Sequence, residues 1–335
     1  MKHSKHRTQG ADQHPPEGEN PSSGNDSARG ADPVSRRRFF AKAGAAGTAL
    51  ALGATSTALA AKAMEDEAFQ DSWNQYFQDH YQRMTKEEVT EALARLKRIA
   101  KRNFEVDLEV ANDPPIENVL FGYALNISKC KGYRKCVYAC VEENNITRKP
   151  HIHYIRVLEM NNGSMDLEES DHYYDPDSVP RKGKFYLPVQ CHHCENPPCV
   201  RACPTKATWK EPDGIVVIDY NWCIGCHYCV VACPYWARHF NWEKPNLPEE
   251  EIVKKTHYLG NRPRMRGVME KCTFCIQRTR KGKLPACHEA CPTGARVFGN
   301  LLDPNSEISR ILRDKTVFRL KEDLNTDPKF WFYTD

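Results

Sequence analysis

Between Cys191 and Pro234, forty-four residues hold eight of the chain's fifteen cysteines. The stretch opens as CHHCENPPCVRACP, and nineteen residues then separate Cys203 from Cys223, where CIGCHYCVVACP begins. The second block, Cys223, Cys226, Cys229 and Cys233 before Pro234, is C-x2-C-x2-C-x3-C-P, the spacing of a bacterial iron–sulfur ligand run. The first block, Cys191, Cys194, Cys199 and Cys203 before Pro204, is the same run with two extra residues in its second gap. Three thiolates on one tight loop can take three corners of an iron–sulfur cube. The fourth, displaced on to the start of a helix, points away to the neighbouring cluster. Two such runs describe two cubanes that share ligands.

Two further groups flank this centre. Cys272, Cys275, Cys287 and Cys291 before Pro292 read C-x2-C-x11-C-x3-C-P, with a basic loop from Arg278 to Lys283 inserted in the middle. Alone, this pair of pairs suits zinc; beside two iron–sulfur runs and ending in the same Cys-Pro, it reads as a cluster site. The first group, Cys130, Cys136 and Cys140, fits C-x2-C-x2-C-x3-C at every position but one, because Tyr133 stands where the second cysteine belongs. That replacement makes the cysteine total odd. Three readings are open: a [3Fe–4S] cluster on three thiolates, a [4Fe–4S] cluster with hydroxide, Tyr133 or another oxygen or nitrogen donor at the odd corner, or an empty site whose cysteines serve as small buried apolar residues.

Lys and Arg number 48 against 44 Asp and Glu, a formal charge of +4. Residues 1–60 contribute eight basic and five acidic side chains, leaving 40 against 39 over 61–335. Nothing in this balance is a nucleic-acid footprint. Thiolate-ligated clusters add negative charge, so Lys and Arg near them are expected to compensate it.

Residues 1–34 are polar, rich in Pro, Gly and Ser, and without apolar periodicity, so they read as disordered. Ser35-Arg36-Arg37-Arg38-Phe39-Phe40 then leads into an uncharged run from Ala43 to Ala60, with Ala58-Leu59-Ala60 at its end. The pattern is a twin-arginine export signal with cleavage expected after Ala60, and an uncleaved membrane anchor is the alternative. An exported, cysteine-rich chain would ordinarily be read as disulfide-bonded. Twin-arginine export carries folded proteins, so clusters can be inserted in the reducing cytoplasm before transit to the periplasm.

Residues 61–112 read as helical. Thr85-Lys86-Glu87-Glu88 is a capping box, and Val89, Leu93, Leu96, Ala100 and Phe104 share one helical face. Asp113-Pro114-Pro115 closes this N-terminal segment, 61–117. Strands are expected at 118–129, 151–160, 184–190 and 215–220, with an acidic surface loop at 161–183. The alternation of cysteine loop, short helix and short strand predicts an α+β fold, a duplicated ferredoxin-like domain over 118–335 with the helical segment added in front.

With all four runs in view, the chain resembles the four-cluster ferredoxin-like electron-transfer subunits of the dimethyl sulfoxide, polysulfide and tetrathionate reductase type. Similar subunits occur in periplasmic modules of transmembrane redox complexes that work with multihaem cytochromes. The resemblance covers about 118–335, including the tail from Leu302-Asp303-Pro304 to Phe330-Trp331-Phe332-Tyr333. It implies that the runs pair first with fourth and second with third. One cluster would then take Cys191, Cys194, Cys199 and Cys233, and another Cys223, Cys226, Cys229 and Cys203. A third would take Cys272, Cys275, Cys287 and Cys140, and the last Cys130, Cys136 and Cys291, with Tyr133 in the gap. In that family an aromatic residue in place of one cysteine accompanies a [3Fe–4S] cluster, so three [4Fe–4S] clusters and one [3Fe–4S] or unusual [4Fe–4S] cluster are implied. The implied partners are a quinone-reactive membrane subunit or multihaem cytochrome and a catalytic subunit, such as a molybdopterin enzyme.

His192, His193, His227 and His288 lie in or beside the runs but read as supporting residues, since each run already has its thiolates; His192 or His193 is placed to hydrogen-bond a cluster sulfur. Trp209, Trp222, Tyr228, Tyr235 and Trp236 are expected to keep water off the clusters. No nucleotide loop or hydrolytic triad is evident. Two other classes compete: a structural zinc protein, and an enzyme with its own site at the Tyr133 cluster.

Overall fold

Each cysteine run is built on one local plan, a strand that enters a loop and a short helix that leaves it. The structure, a computed structural model, describes residues 85–335. The export signal at 1–60 and residues 61–84 of the helical segment lie outside the described residues. The strands before the four runs are β2 (Phe121–Asn126), β4 (Lys184–Val189), β6 (Val216–Ile218) and β9 (Met269–Glu270). The helices that follow are α2 (Lys135–Glu143), α3 (Pro198–Arg201), α4 (Tyr228–Val231) and α6 (Ala286–Glu289). In the fourth run an extra turn, α5 (Ile276–Thr279), occupies the insertion.

Before these come α1 (Lys86–Phe104) and β1 (Glu109–Ala111). The remaining elements are β3 (Arg156–Asn161), β5 (Thr208–Lys210), β7 (His239–Phe240), β8 (Lys255–His257), β10 (Arg296–Asn300), α7 (Glu307–Asp314), β11 (Val317–Phe318) and β12 (Phe330–Tyr333). The largest sheet has the order β10-β2-β12-β11. Its centre, β2, runs antiparallel to β10 and parallel to β12. Every residue of β2 is buried because both of its faces are covered. Tyr123 and Leu125 enter the main core beside the cysteines, while Ala124 faces Val297, Ile308 and Tyr333 under α7. Two-stranded pairs β3-β4, β5-β6 and β7-β9 connect the runs. Helices α2 and α6 pack together, as do α3 and α4, so the first run lies against the fourth and the second against the third.

The strands found at 118–129, 184–190 and 215–220 sit inside the regions marked by sequence, while β3 starts five residues later than anticipated and ends one residue beyond its region, at Asn161. The helical reading of 61–112 needs correction at its end. The capping box at Thr85 and Glu88 forms, but the helix stops at Phe104, where Glu105 turns left-handed (φ 61°) and its N–H returns to Lys101 O. Val106, Leu108 and Val110 are then buried alternately with polar Asp107 and Glu109, the period of a strand. Parallel pairing of β1 with β8 ties this segment to residues 255–257.

The basic insertion of the fourth run is a clamp. Arg278 reaches Glu143 of α2 at 3.1 Å, and Arg280 holds Asp213 at 3.0 Å and Glu211 at 3.1 Å. Asp213 and the Arg280 side chain are almost fully excluded from water. Paired this way, the charges join the fourth run to the first run's helix and to the β5-β6 turn.

The residue before the second cysteine position has positive φ in all four runs: Gly132 80°, His193 43°, Gly225 71° and Phe274 52°. At Gly132 and Gly225 the space also forbids a side chain. A Cβ on Gly132 would sit 2.5 Å from the Tyr186 ring, and one on Gly225 would sit 2.5 Å from the Gly267 carbonyl oxygen. Since backbone cannot yield as a flexible side chain does, Gly225→Ala combines dihedral strain with a clash. It is expected to cost at least about 1–3 kcal/mol. A denaturant midpoint unchanged from the parent would contradict this loop geometry.

Candidate iron–sulfur centre

All fifteen cysteines carry free thiols, and the fold gathers them into four groups. Cys130, Cys136 and Cys291 interact electrostatically and line one pocket, which Tyr133 also borders. Cys140 faces Cys272, Cys275 and Cys287. Cys194 faces Cys191, Cys199 and Cys233 across a second pocket. Cys223, Cys226, Cys229 and Cys203 form the last group. In each case one thiol comes from the end of the partner run. Its helix carries it away from its own loop, and helix packing presents it to the opposite one.

Neighbouring groups meet at defined thiols. Cys136 is close enough to Cys287 to interact, as is Cys272 with Cys191, and Cys229 with Cys199. The groups therefore follow one another in an order that begins at Tyr133 and ends at Cys226. The loop around Tyr133 matches the loop around Cys226 in conformation: Gly132 (φ 80°) and Arg134 (55°) correspond to Gly225 (71°) and His227 (67°). Tyr133 thus occupies the place of the second thiol, and at 37% exposure it faces outward as Cys226 does.

Burial dominates the thiol electrostatics. It pushes Cys130, Cys194 and Cys275 up to about 12 and Cys229 up to about 11. Among the thiols that are shifted, Cys291 is the exception. Burial raises it as well, but hydrogen bonds from the Thr293 side chain and from the Thr293 and Ala295 backbone, with Arg296 nearby, outweigh that and hold it low. Thiols this hard to ionise become thiolates when a metal replaces the proton.

Donors are already aimed at the sulfurs. Phe274 N donates to Cys272 Sγ at 3.4 Å and Met269 N to Cys223 Sγ at 3.3 Å. The Gly132 and Gly225 amides serve Cys130 and Cys223. Asn144 Nδ2 lies 3.6 Å from both Cys140 and Cys275 Sγ, and the Tyr123 hydroxyl lies 3.4 Å from Cys287 Sγ. Both nitrogens of buried His192, and Nε2 of buried His193, have no protein partner among the described residues, and both rings border the pocket of Cys191, Cys194, Cys199 and Cys233. Burial lowers both imidazoles, His192 to about 3, so they are neutral. His193 Nδ1 accepts from Val216 N at 3.0 Å, which leaves its other nitrogen for an acceptor in the site. A thiol-lined space with unspent N–H groups fits a sulfide-bearing cluster.

Three cations here were not singled out from sequence. Arg296 Nη2 donates to Cys136 Sγ at 3.5 Å, and its Nη1 lies 3.9 Å from Cys287 Sγ. Arg238 Nη2 donates to Cys199 Sγ at 2.8 Å. Lys271, fully buried, donates to Cys272 O at 2.6 Å. A signal for the arginines was present: Cys233-Pro-Tyr-Trp-Ala-Arg238 and Cys291-Pro-Thr-Gly-Ala-Arg296 share Cys-Pro-x-x-Ala-Arg. The aromatic expectation holds only in part. Tyr235 is buried, with its hydroxyl bonded to Leu320 O and Thr326, but Trp222, Tyr228 and Trp236 are exposed. Tyr228 opens a one-turn helix whose inward position belongs to Cys229, which leaves Tyr228 on the outer side.

A model of the 4Fe-4S dicluster domain matches residues 183–249 and again 249–301. The Hdr-like menaquinol oxidoreductase iron-sulfur subunit 1 of Archaeoglobus fulgidus is 43% identical over 206 residues, 59% of this chain and 71% of its own length. The menaquinone reductase iron-sulfur cluster-binding subunit of Nitratidesulfovibrio vulgaris is 36% identical over 240 residues, covering 64% of this chain and 88% of its own. A tetrathionate reductase subunit of Salmonella typhimurium is 31% identical over 214 residues, covering 63% and 71%. With its last three cysteine runs falling inside the matched domains and these relatives aligned over more than two thirds of their lengths, this chain belongs to the family of iron–sulfur subunits that relay electrons, rather than catalyse, in oxidoreductase complexes.

Proposed function

We propose that the four thiol groups hold three [4Fe–4S] clusters and, at the Tyr133 group, one [3Fe–4S] cluster. Bound there, such clusters accept and release single electrons. The chain's own contribution is to hold them in order, exclude water and supply N–H donors and cations to the sulfurs. The observation that carries this reading is the exchange of the last thiol between paired runs, which completes four groups from four loops. Among the described residues no three His, Cys, Asp or Glu side chains close on a single-ion point. The Tyr133 group and the group of Cys191, Cys194, Cys199 and Cys233 line pockets instead, which favours polynuclear clusters over structural zinc.

The complex served lies at a membrane. Relatives named for menaquinol oxidoreductase, menaquinone reductase and tetrathionate reductase support a quinone-reactive membrane subunit or multihaem cytochrome on one side and a catalytic subunit, such as a molybdopterin enzyme, on the other. No helix among the described residues is long and apolar enough to cross a membrane. Residues 1–60 act as the export signal that sends the loaded protein to the periplasm.

The purified protein is expected to show broad visible absorption that dithionite bleaches, with about fifteen iron atoms per chain and an oxidised-state [3Fe–4S] EPR signal. Tyr133→Cys should remove that signal and add about one iron. A colourless, zinc-loaded protein would overturn the electron-transfer reading, and sixteen irons with no such signal would overturn the odd-site assignment alone. For export, the periplasmic form is expected to begin at Ala61, and replacement of Arg36 and Arg37 by lysine should leave the chain in the cytoplasm. A periplasmic protein that retains residues 1–60 would contradict signal cleavage.

A further inference from the structure

Among the described residues, most buried cations elsewhere have carboxylate partners; Arg134, which lies over the Tyr138 and Tyr174 rings and donates to Tyr174 O, does not. Arg280 pairs with Asp213 and Glu211, Arg264 with Glu270 at 3.2 Å, and Arg262 with Asp219 at 4.0 Å. Arg296, Lys271 and Arg238 are as deeply buried, at 2%, 0% and 5% exposure. Among the described residues, no carboxylate lies within 4.0 Å of any of the three. An unpaired buried charge is costly unless something in the site balances it.

Their placement is regular. Arg296 reaches Cys136 of the Tyr133 group and Cys287 of the next group. Lys271 faces Cys272 of that second group and Cys191 and Cys199 of the third. Arg238 touches Cys199 of the third group and faces Cys229 of the fourth. Each of the three junctions in the order thus holds one cation, shared between the groups it separates. Arg238 and Arg296 arrive there by the same route, as the fifth residue after the last cysteine of their runs. At the corresponding place in the second run stands Thr208, and it receives a hydrogen bond from Arg238 at 3.2 Å. The paired runs meet at this junction through one arginine and one hydroxyl, not two like charges.

We propose that Arg296, Lys271 and Arg238 are potential-setting residues, each stabilising an added electron on the two thiol groups it separates and so keeping adjacent couples close enough for electrons to pass either way. The proposal rests on the reading that these groups hold iron–sulfur clusters. Each couple takes one electron from the reductant, and no bond forms or breaks at the cation. Because a junction cation belongs to two groups, its loss must lower two couples and leave the other two in place.

Mediated redox titration of the iron-loaded protein, followed by EPR with dithionite as reductant, tests this. Arg296→Gln should lower the potential of the Tyr133 group by about 59 mV, a tenfold change for a one-electron couple, together with one other couple. Arg296→Lys, which keeps the charge, should shift it less than half as far. Arg238→Gln should leave the Tyr133 group unchanged and lower two of the remaining three couples. An iron-replete Arg296→Gln protein with unchanged potentials, or Arg238→Gln moving the Tyr133 group equally, would overturn the proposal. Iron loss in Arg296→Gln that Arg296→Lys fails to restore would also overturn it, since a charge role survives in lysine. Iron content of the parent reports separately on the cluster reading.

Discussion

The last cysteine of a run cannot serve the loop that carries the other three, because the helix between them turns it away. Whatever the loops bind must therefore be completed from a second run. That requirement accounts for most of the architecture. It explains why α2 packs on α6 and α3 on α4, and why first and fourth runs must meet although more than a hundred residues separate them. Antiparallel pairing of β2 with β10 fixes that meeting, since these strands lead into the first run and out of the fourth. β12 completes the sheet on the other side of β2, so the C-terminal tail is part of the frame and not an appendage.

A second requirement follows from burial. Gathering thiols away from water raises the cost of ionising them, and the groups are habitable by thiolates only where metal, N–H donors and cations together replace solvation. The structure supplies the last two in advance, by positive-φ loops that aim amides at sulfur and by cations placed at the junctions. Exposure is kept for the two ends of the order, at Cys226 and at Tyr133. There the chain trades shielding for access, as a relay must wherever electrons enter and leave.

Much of this was legible in the sequence. Cysteine spacing alone reveals the loops, their number and the vacancy at Tyr133, because ligand geometry constrains residues only a few positions apart. The strands before the first three runs are visible for the same local reason, whereas β9, two residues long before the fourth, is too short to leave a pattern. Which strands share a sheet is not, since pairing β2 with both β10 and β12 depends on contacts across some two hundred residues. The end of α1 was missed although Val106, Leu108 and Val110 alternate, because the helical periodicity before them is stronger. Arg238 and Arg296 were hidden differently. Their repeated Cys-Pro-x-x-Ala-Arg setting was on display, but a charged residue after a ligand run is ordinarily solvated, and only the fold shows these two buried.

We propose that four thiol groups, completed by exchange between paired runs, hold four clusters in one order. Anomalous diffraction at the iron edge from crystals of the loaded protein tests it most directly. Four iron centres are expected in sequence: first beside Cys130, Cys136 and Cys291, then between Cys140 and Cys272, then between Cys191 and Cys233, and last beside Cys203 and Cys226. Iron centres each enclosed by the cysteines of a single run, or an absorption edge belonging to zinc, would contradict it.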